Sequence, residues 1–412
     1  VVGEFPAFGD SQTRAIGTPD EGKTSWAVGD ELLLEIDNTS YGRHNATFTY
    51  NGKSWELTSG ELVYLEGDPA YISHVYYAPN YKWSNTSLML KKGKVAGTDE
   101  LIEGKARITG NGETITVSFA EATRKYSRLR IATLPNEQIT VDTEYFTPAG
   151  SSDMEQKGNY TLTSDEKGNA YLYGTFENNS EVTVKYREAA LTTHTFSQAT
   201  ESAKSYALDA TVISANSAEE IKSAIKQKVA DGKTTIRLNL APNAGTDEFM
   251  AIREAIKGAA PNDEGTIELT IIGVETIPEE AFKRMSQLKS VKMPDVKEIK
   301  KYAFSECQYL TVVEAPSLNK LNSGAFNECY LLSKLTFGPI NYADARYWSI
   351  FEDITPNIDL ILSDYQKEMI ETDDDLYTAN NDIDYALSPE HVSKNFLGHE
   401  FKSITCRRYR VE

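Results

Sequence analysis

The chain has 412 residues, with 42 Lys and Arg against 61 Asp and Glu and a net charge of −19. That acid excess excludes a partner held by a broad basic field, so nucleic acid and anionic lipid surfaces are not ligands of the chain as a whole. Hydrophobic residues at 40% and charged residues at 25% are ordinary globular values, enough to bury cores for two or three domains, and no apolar run approaches the ~18 residues of a membrane span.

The first residues, VVGEFPAFGD, lack the segments of a signal peptide, which implies either a cytosolic protein or an export signal already removed. Gly17 to Thr24 then satisfies the phosphate-loop pattern G-x-x-x-x-G-K-T, and LLLEID ending at Asp37 mimics its acidic strand. The context opposes nucleotide binding. A phosphate loop needs a buried strand before it and a helix after it, whereas polar DSQTRAI precedes Gly17 and Asp20 and Glu21 would repel phosphate.

Residues 1–211 read as β structure. The runs ELLLEID, ATFTY, SWELT, AYISHVYYA, ETITVSF and SRLRIATL are separated by Gly, Asn and Asp, with Asn51-Gly52 as a hairpin turn. A second set follows: EQITVDT, GNYTLT, NAYLYGTF and EVTVKYRE. The expectation is two consecutive antiparallel sandwiches, 1–135 and 136–211. Ala199 to Asn216 is small, polar and aperiodic, as a domain boundary would be.

Thr13-Arg14-Ala15, Ser25-Trp26 before Gly29-Asp30, Tyr50-Asn51-Gly52 with Trp55, and Tyr76-Tyr77-Ala78-Pro79 together resemble the start of the fimbrillin family. Asp99 to Leu101 and the segment VSFAEATRKYSRLRI fit it as well. The resemblance implies two transthyretin-like β-sandwiches, an exported lipoprotein or pilus subunit, and Arg14 as a candidate processing position.

Beyond residue 212 the pattern changes. Ser217 to Glu220 forms a capping box, Ile221, Ala224, Ile225 and Val229 form a helical stripe, and the strand TTIRLNL follows. At an offset of 31, Ile252, Ala255, Ile256, Ile267 and Leu269 repeat the apolar positions Ile221, Ala224, Ile225, Ile236 and Leu238. The period then shortens to 22 over 274–295, 296–317 and 318–339. There Ile277, Ile299 and Leu321 coincide, as do Phe282, Phe304 and Phe326, and Leu288, Leu310 and Leu332. A unit that cannot bury its apolar face alone must stack on copies of itself, so the period predicts a solenoid over 212–412. Phe351, Leu360 and Leu362 continue the series at an offset of 25, and FKSIT at 401–405 supplies a last strand.

IPEEAF, IKKYAFSECQYL and LNSGAFNECYLL resemble the BspA-like leucine-rich repeats of surface proteins from Gram-negative anaerobes. The fold expected is therefore multidomain: an all-β N-terminal half followed by an α/β leucine-rich-repeat solenoid. If Leu288, Val291 and Met293 point inward, strand alternation turns Ser290 and Lys292 outward, and the period places Val312, Glu314, Lys334 and Thr336 beside them. These six are the candidate binding face.

The remaining motifs carry little chemistry. Cys307, Cys329 and Cys406 are too few for a disulfide framework, and the first two read as core residues on adjacent coils. Neither His391 with His399 and Glu400 nor the acidic run from Asp373 to Asp384 has the spacing of a metal site. No nucleophile motif is present, so an enzyme is not expected, and neither is a cofactor. The functional expectation is a cell-surface adhesin or pilus-associated protein, outer-membrane-anchored or extracellular, that recognises a protein or glycan and meets the membrane only through a lipid anchor outside this chain. The alternatives are a structural pilus subunit assembling with other subunits by strand addition, or a carbohydrate-active enzyme.

Overall fold

A computed structural model describes residues 9–10, 23, 25–38, 42–61, 72–110, 115–187, 189–215, 217–343, 349–362, 371–372, 395–397 and 399–406. The protein is mostly β-strand with two helices among the described residues. It divides into two compact units, Val1–Thr211 and Val212–Glu412.

The first unit begins with a six-stranded antiparallel sheet in the order Trp55–Gly60, Gly42–Tyr50, Glu31–Asn38, Ile72–Tyr77, Ile102–Gly110, Ile115–Arg124. Its first hairpin is closed by Asn51, whose Oδ1 accepts the backbone N–H of Lys53 at 2.9 Å and of Ser54 at 2.8 Å. Glu31–Asn38 is a central strand, and Leu32, Leu33, Leu34, Glu35 and Ile36 are all buried. Leu32, Leu34 and Ile36 join Val75, Tyr77 and Ile102, while Leu33 packs on the opposite face with Ala78 and Tyr81. Burial on both faces explains why this segment reads as a continuous apolar run.

The second sheet runs in the order Gly9–Asp10, Lys204–Asp209, Ser127–Ala132, Asn169–Phe176, Gln138–Pro148, Glu181–Tyr186, Ala189–Thr195, with Glu155–Thr163 also on Gln138–Pro148. Ser127–Ala132 belongs here, so hydrogen bonding passes from one sheet to the other between Arg124 and Ser127, ahead of residue 135. The arrangement also departs from the all-antiparallel expectation. Lys204–Asp209 pairs in parallel with both Ser127–Ala132 and Gly9–Asp10, because the chain crosses to the far side of the sheet after Thr195. Gln138–Pro148 pairs with Glu181–Tyr186 through residues 140–143 and with Asn169–Phe176 through 146–148. It changes partner at Tyr145, which has a positive φ of 50°.

Two contacts join Tyr81 and Gly97, which precede the strand Ile102–Gly110, to the chain of the second sheet, and a third pairs Glu100 with Arg124 of the first sheet. Tyr81 Oη donates to the Ala149 carbonyl at 2.8 Å, and Tyr173 N–H donates to the Gly97 carbonyl at 2.7 Å. Arg124 Nη1 meets Glu100 Oε2 at 2.8 Å, with both side chains buried. Gly97 has φ +80°, and a Cβ there would lie 2.9 Å from both Pro148 Cβ and the Tyr173 carbonyl oxygen, so only glycine fits.

The segment from Ala199 to Asn216 is not a spacer. Lys204–Asp209 is a ladder strand, Ala210 N–H donates to the Ala132 carbonyl, and Ile213–Ala215 opens the sheet of the second unit. Its small polar residues serve turns, such as Asp209 Oδ1 accepting both the N–H and the hydroxyl of Thr211.

The second unit is built on a parallel eight-stranded sheet: Ile213–Ala215, Thr235–Leu240, Ile267–Ile272, Leu288–Lys292, Val312–Ala315, Lys334–Phe337, Asp359–Leu362, Ser403–Cys406. Helix α1, Ala218–Ala230, is capped by the Ser217 hydroxyl on Glu220 N–H. Helix α2, Thr246–Ala259, begins at Gly245, whose N–H is taken by the Glu248 carboxylate at 2.8 Å. After α2 the helices give way to turns and to a second parallel sheet of two-residue strands: Thr276–Ile277, Glu298–Ile299, Lys320–Leu321, Tyr342–Ala343 and Glu371–Thr372.

The apolar ladder predicted from the 22-residue period is present. The Phe282 and Phe304 rings stack at 5.2 Å, Phe304 and Phe326 at 5.5 Å, and Phe326 and Phe351 at 5.9 Å, and all but Phe351 are fully buried. Cys307 and Cys329 are free thiols that donate to the carbonyls of Phe282 at 3.0 Å and Phe304 at 3.1 Å, and burial pushes the Cys307 thiol up to about 12. Each coil carries two left-handed turn residues, Glu280, Tyr302 and Gly324 at one level and Arg284, Glu306 and Glu328 at the other. Backbone bonds between coils hold them: Glu280 N–H to Lys301 O, Tyr302 N–H to Ser323 O, Arg284 N–H to Ser305 O and Glu306 N–H to Asn327 O. These bonds satisfy the buried backbone and offset the strain of a positive φ on a residue with a Cβ.

Candidate functional site

The parallel ladder brings the six candidate residues into two adjacent rows. Ser290, Val312 and Lys334 are register partners, as are Lys292, Glu314 and Thr336. Leu288, Val291 and Met293 are fully buried on the other face, which fixes the first coil's outward positions.

Five of the six are half-buried. Thr336 is the exception and corrects the expectation of a fully exposed patch, since only 2% of its surface is accessible. A short side chain between the longer Glu314 and Ile361 of the flanking strands is shielded by them even on an outward face. Among the described residues, its hydroxyl oxygen has no hydrogen-bond partner.

Two charges of the face pair with each other. Lys292 Nζ lies 3.6 Å from a Glu314 carboxylate oxygen. The rows extend beyond the six residues to Glu268 and Asp359, which register alone adds. Lys289 holds Glu268 at 2.8 Å. The Ser403 hydroxyl donates to Asp359 at 2.6 Å and Lys402 reaches it at 3.2 Å, and these two bonds hold its carboxyl below the usual range. The result is an amphoteric strip of paired charges, hydroxyls and a valine. Such a strip offers hydrogen bonds to a polar partner, and no nucleophile stands beside a general base on it.

Arg14 and His391 lie outside the described residues, as does the run from Asp373 to Asp384. His399 is half-buried against Phe351 and Phe401. In the phosphate-loop pattern, Lys23 pairs with Asp30 at 2.9 Å, and the strand ending near Asp37 is antiparallel to both neighbours. Among the described residues, no three His, Cys, Asp or Glu side chains converge on a metal position, and no helix is long and apolar enough to cross a membrane.

This ladder of repeats defines a class. Residues 266–362 match the family model of the BspA type leucine rich repeat region, in six copies. No curated protein matches the chain. A Bacteroides fragilis crystal structure described as a "putative cell adhesion protein" is similar at 11% identity, over 51% of this chain and 90% of that one, with a TM-score of 0.30.

Proposed function

We propose that the protein is an exported cell-surface binding protein, in which the outward face of the leucine-rich-repeat solenoid recognises a protein or glycan. The observation that carries this reading is the BspA-type repeat match over 266–362, together with the strip of polar side chains at Ser290, Lys292, Glu314 and Lys334 around Val312 on those coils. Repeat sheets keep their inward positions fixed while outward ones vary, which suits recognition. The first unit is the stalk in this reading, a fimbrillin-like pair of transthyretin-like sandwiches, with a lipid anchor outside this chain. Pull-down and glycan-array binding with the full chain test it. Substituting Lys292, Glu314 and Lys334 together by Gln should weaken capture about tenfold or more while leaving the unfolding midpoint unchanged. Unaltered capture would move the site off the repeats.

A second reading is a pilus subunit that assembles by strand addition. Its support is the edge strand Trp55–Gly60, where every residue but Trp55 is exposed, since an open edge offers unpaired backbone groups. Concentration-dependent polymerisation, abolished by Leu57→Pro, would favour it over recognition by the repeats.

A further inference from the structure

The acidic balance of the chain breaks in one place on the first unit. Although 61 of the 412 residues are Asp or Glu, none falls between 69 and 98, where Lys82, Lys91, Lys92 and Lys94 stand. These lysines belong to the hairpin of Tyr81–Ser84 with Ser87–Leu90 and to the loop that follows it. Lys91 is held by Glu31 at 2.6 Å, and among the described residues it is the one of the four in an ion pair.

The same segment exposes apolar side chains that its packing does not use. Tyr81, Trp83 and Leu88 fasten the hairpin to Leu33, and the Trp83 indole N–H donates to the Ala46 carbonyl at 3.2 Å. Met89, Leu90 and Val95 lie outside that cluster and are 53%, 40% and 51% exposed. Asn80 fixes where they stand. Its backbone carbonyl accepts Lys91 N–H at 2.8 Å, and its side-chain amide donates to the Val95 carbonyl and the Thr98 hydroxyl, both at 3.0 Å. Lys94 N–H closes a turn on the Lys91 carbonyl at 3.0 Å, with Gly93 at φ +78°. Lys82 is the register partner of Met89, so a lysine stem lies alongside one exposed apolar tip. The result is a fixed wedge of apolar tips with lysines beside them.

We propose that this wedge is a contact surface for an anionic lipid membrane, in which Met89, Leu90 and Val95 enter the headgroup region while Lys82, Lys92 and Lys94 meet lipid phosphates. Lysine suits such an interface, because its methylenes stay with the apolar side chains and its ammonium remains in water. A protein partner is the poorer match, since Lys is depleted from protein interfaces and aromatic residues and Arg are enriched there. The net charge of −19 does not prevent the contact. At physiological ionic strength charges are screened over about 8 Å, so the groups that touch the headgroups outweigh carboxylates farther away.

Flotation of the full chain with vesicles tests this, comparing phosphatidylcholine alone with an equimolar mixture of phosphatidylcholine and phosphatidylglycerol. The mixed vesicles should carry the protein upward and the neutral ones should not, and salt at about 1 M, where screening sets in within about 3 Å, should release it. Lys92→Gln with Lys94→Gln should lower the partition coefficient roughly twentyfold. Met89→Ser with Val95→Ser should lower it about tenfold, and both double variants should keep the parent's melting curve. The Lys292, Glu314 and Lys334 triple variant should float as the parent does. Absence of flotation with the mixed vesicles, equal flotation with neutral ones, or undiminished binding by either double variant would each overturn the proposal. So would displacement by soluble poly-glutamate as efficient as by fresh mixed vesicles, the outcome expected of an acidic protein partner.

Discussion

The repeat unit and the N-terminal unit both exclude water from aromatic interiors, but they assign positions in opposite ways. In the repeats, Phe304 and Leu310 each have a copy of themselves above and below, and Cys307 and Val313 have a copy on one side and another apolar residue, Met285 or Leu335, on the other. In the N-terminal unit each tie occurs once: the Tyr81 hydroxyl on Ala149, the glycine at 97 under Tyr173, the Arg124–Glu100 pair. Repetition spreads one packing solution over many coils, whereas singular contacts concentrate it at a few residues. The two kinds of core should therefore fail differently.

The largest effects should come from Arg124→Met and Phe304→Ala. Arg124→Met leaves Glu100 as an unpaired buried charge and should cost the first unit about 3–5 kcal/mol. Phe304→Ala opens a gap between two stacked rings and should cost the repeat unit about 3–5 kcal/mol. Urea unfolding of the full chain, followed by a probe in each unit, should assign each loss to its own transition. A Phe304→Ala cost below about 1 kcal/mol would mean that neighbouring coils close over the gap and that repetition confers tolerance.

Thr336→Val should act in the opposite direction. It removes a buried hydroxyl without a partner while keeping the shape, and it should raise the repeat unit's stability by about 1 kcal/mol, read as a higher urea midpoint at constant slope.

The smallest effects concern pH, with opposite signs in the two units. Burial lowers the His399 imidazole below its ordinary value, against opposing contributions from the Thr355 carbonyl and Glu400. The unfolded chain then takes up the proton first, so stability due to His399 is present above pH ~6.5 and is lost on acidification. His399→Gln should gain on the parent between pH 7 and 5. Burial raises the Asp99 carboxyl, against lowering by the Glu100 N–H and nearby lysines. Its penalty is absent at low pH and grows as pH rises through the folded value, so Asp99→Asn should gain on the parent from pH 4 to 7. Midpoints measured at pH 4, 5 and 7 check both signs, and a common sign would break the contrast.

The same contrast decides what could be read in the sequence. The phenylalanine ladder, the two helices and the register of Ser290 with Val312 and Lys334 followed from offsets of 22, 25 and 31, because a repeated environment demands a repeated residue type. Thr336 did not follow, since alternation gives a direction and not the size of the neighbours. The two-residue strands such as Thr276–Ile277 were too short for any period to mark. In the first unit the strands were legible through alternation and the Asn51-Gly52 turn. The parallel placing of Lys204–Asp209 was not, because a long-range crossover leaves no local signature.

The step from Phe326 to Phe351 spans 25 residues where its predecessors span 22, yet the rings stay parallel within 7° and Leu335 still pairs with Leu360. The extra three residues fall between Ala343 and Ile350, and the sheet register is untouched. Coil length and coil number are thus separate variables. Duplicating one whole coil would lengthen the array by one strand spacing, roughly 4.7–4.9 Å, and would give every new side chain neighbours already proven compatible with it. An ancestral gene could in this way adjust the reach of its array in small fixed increments without re-optimising its interior.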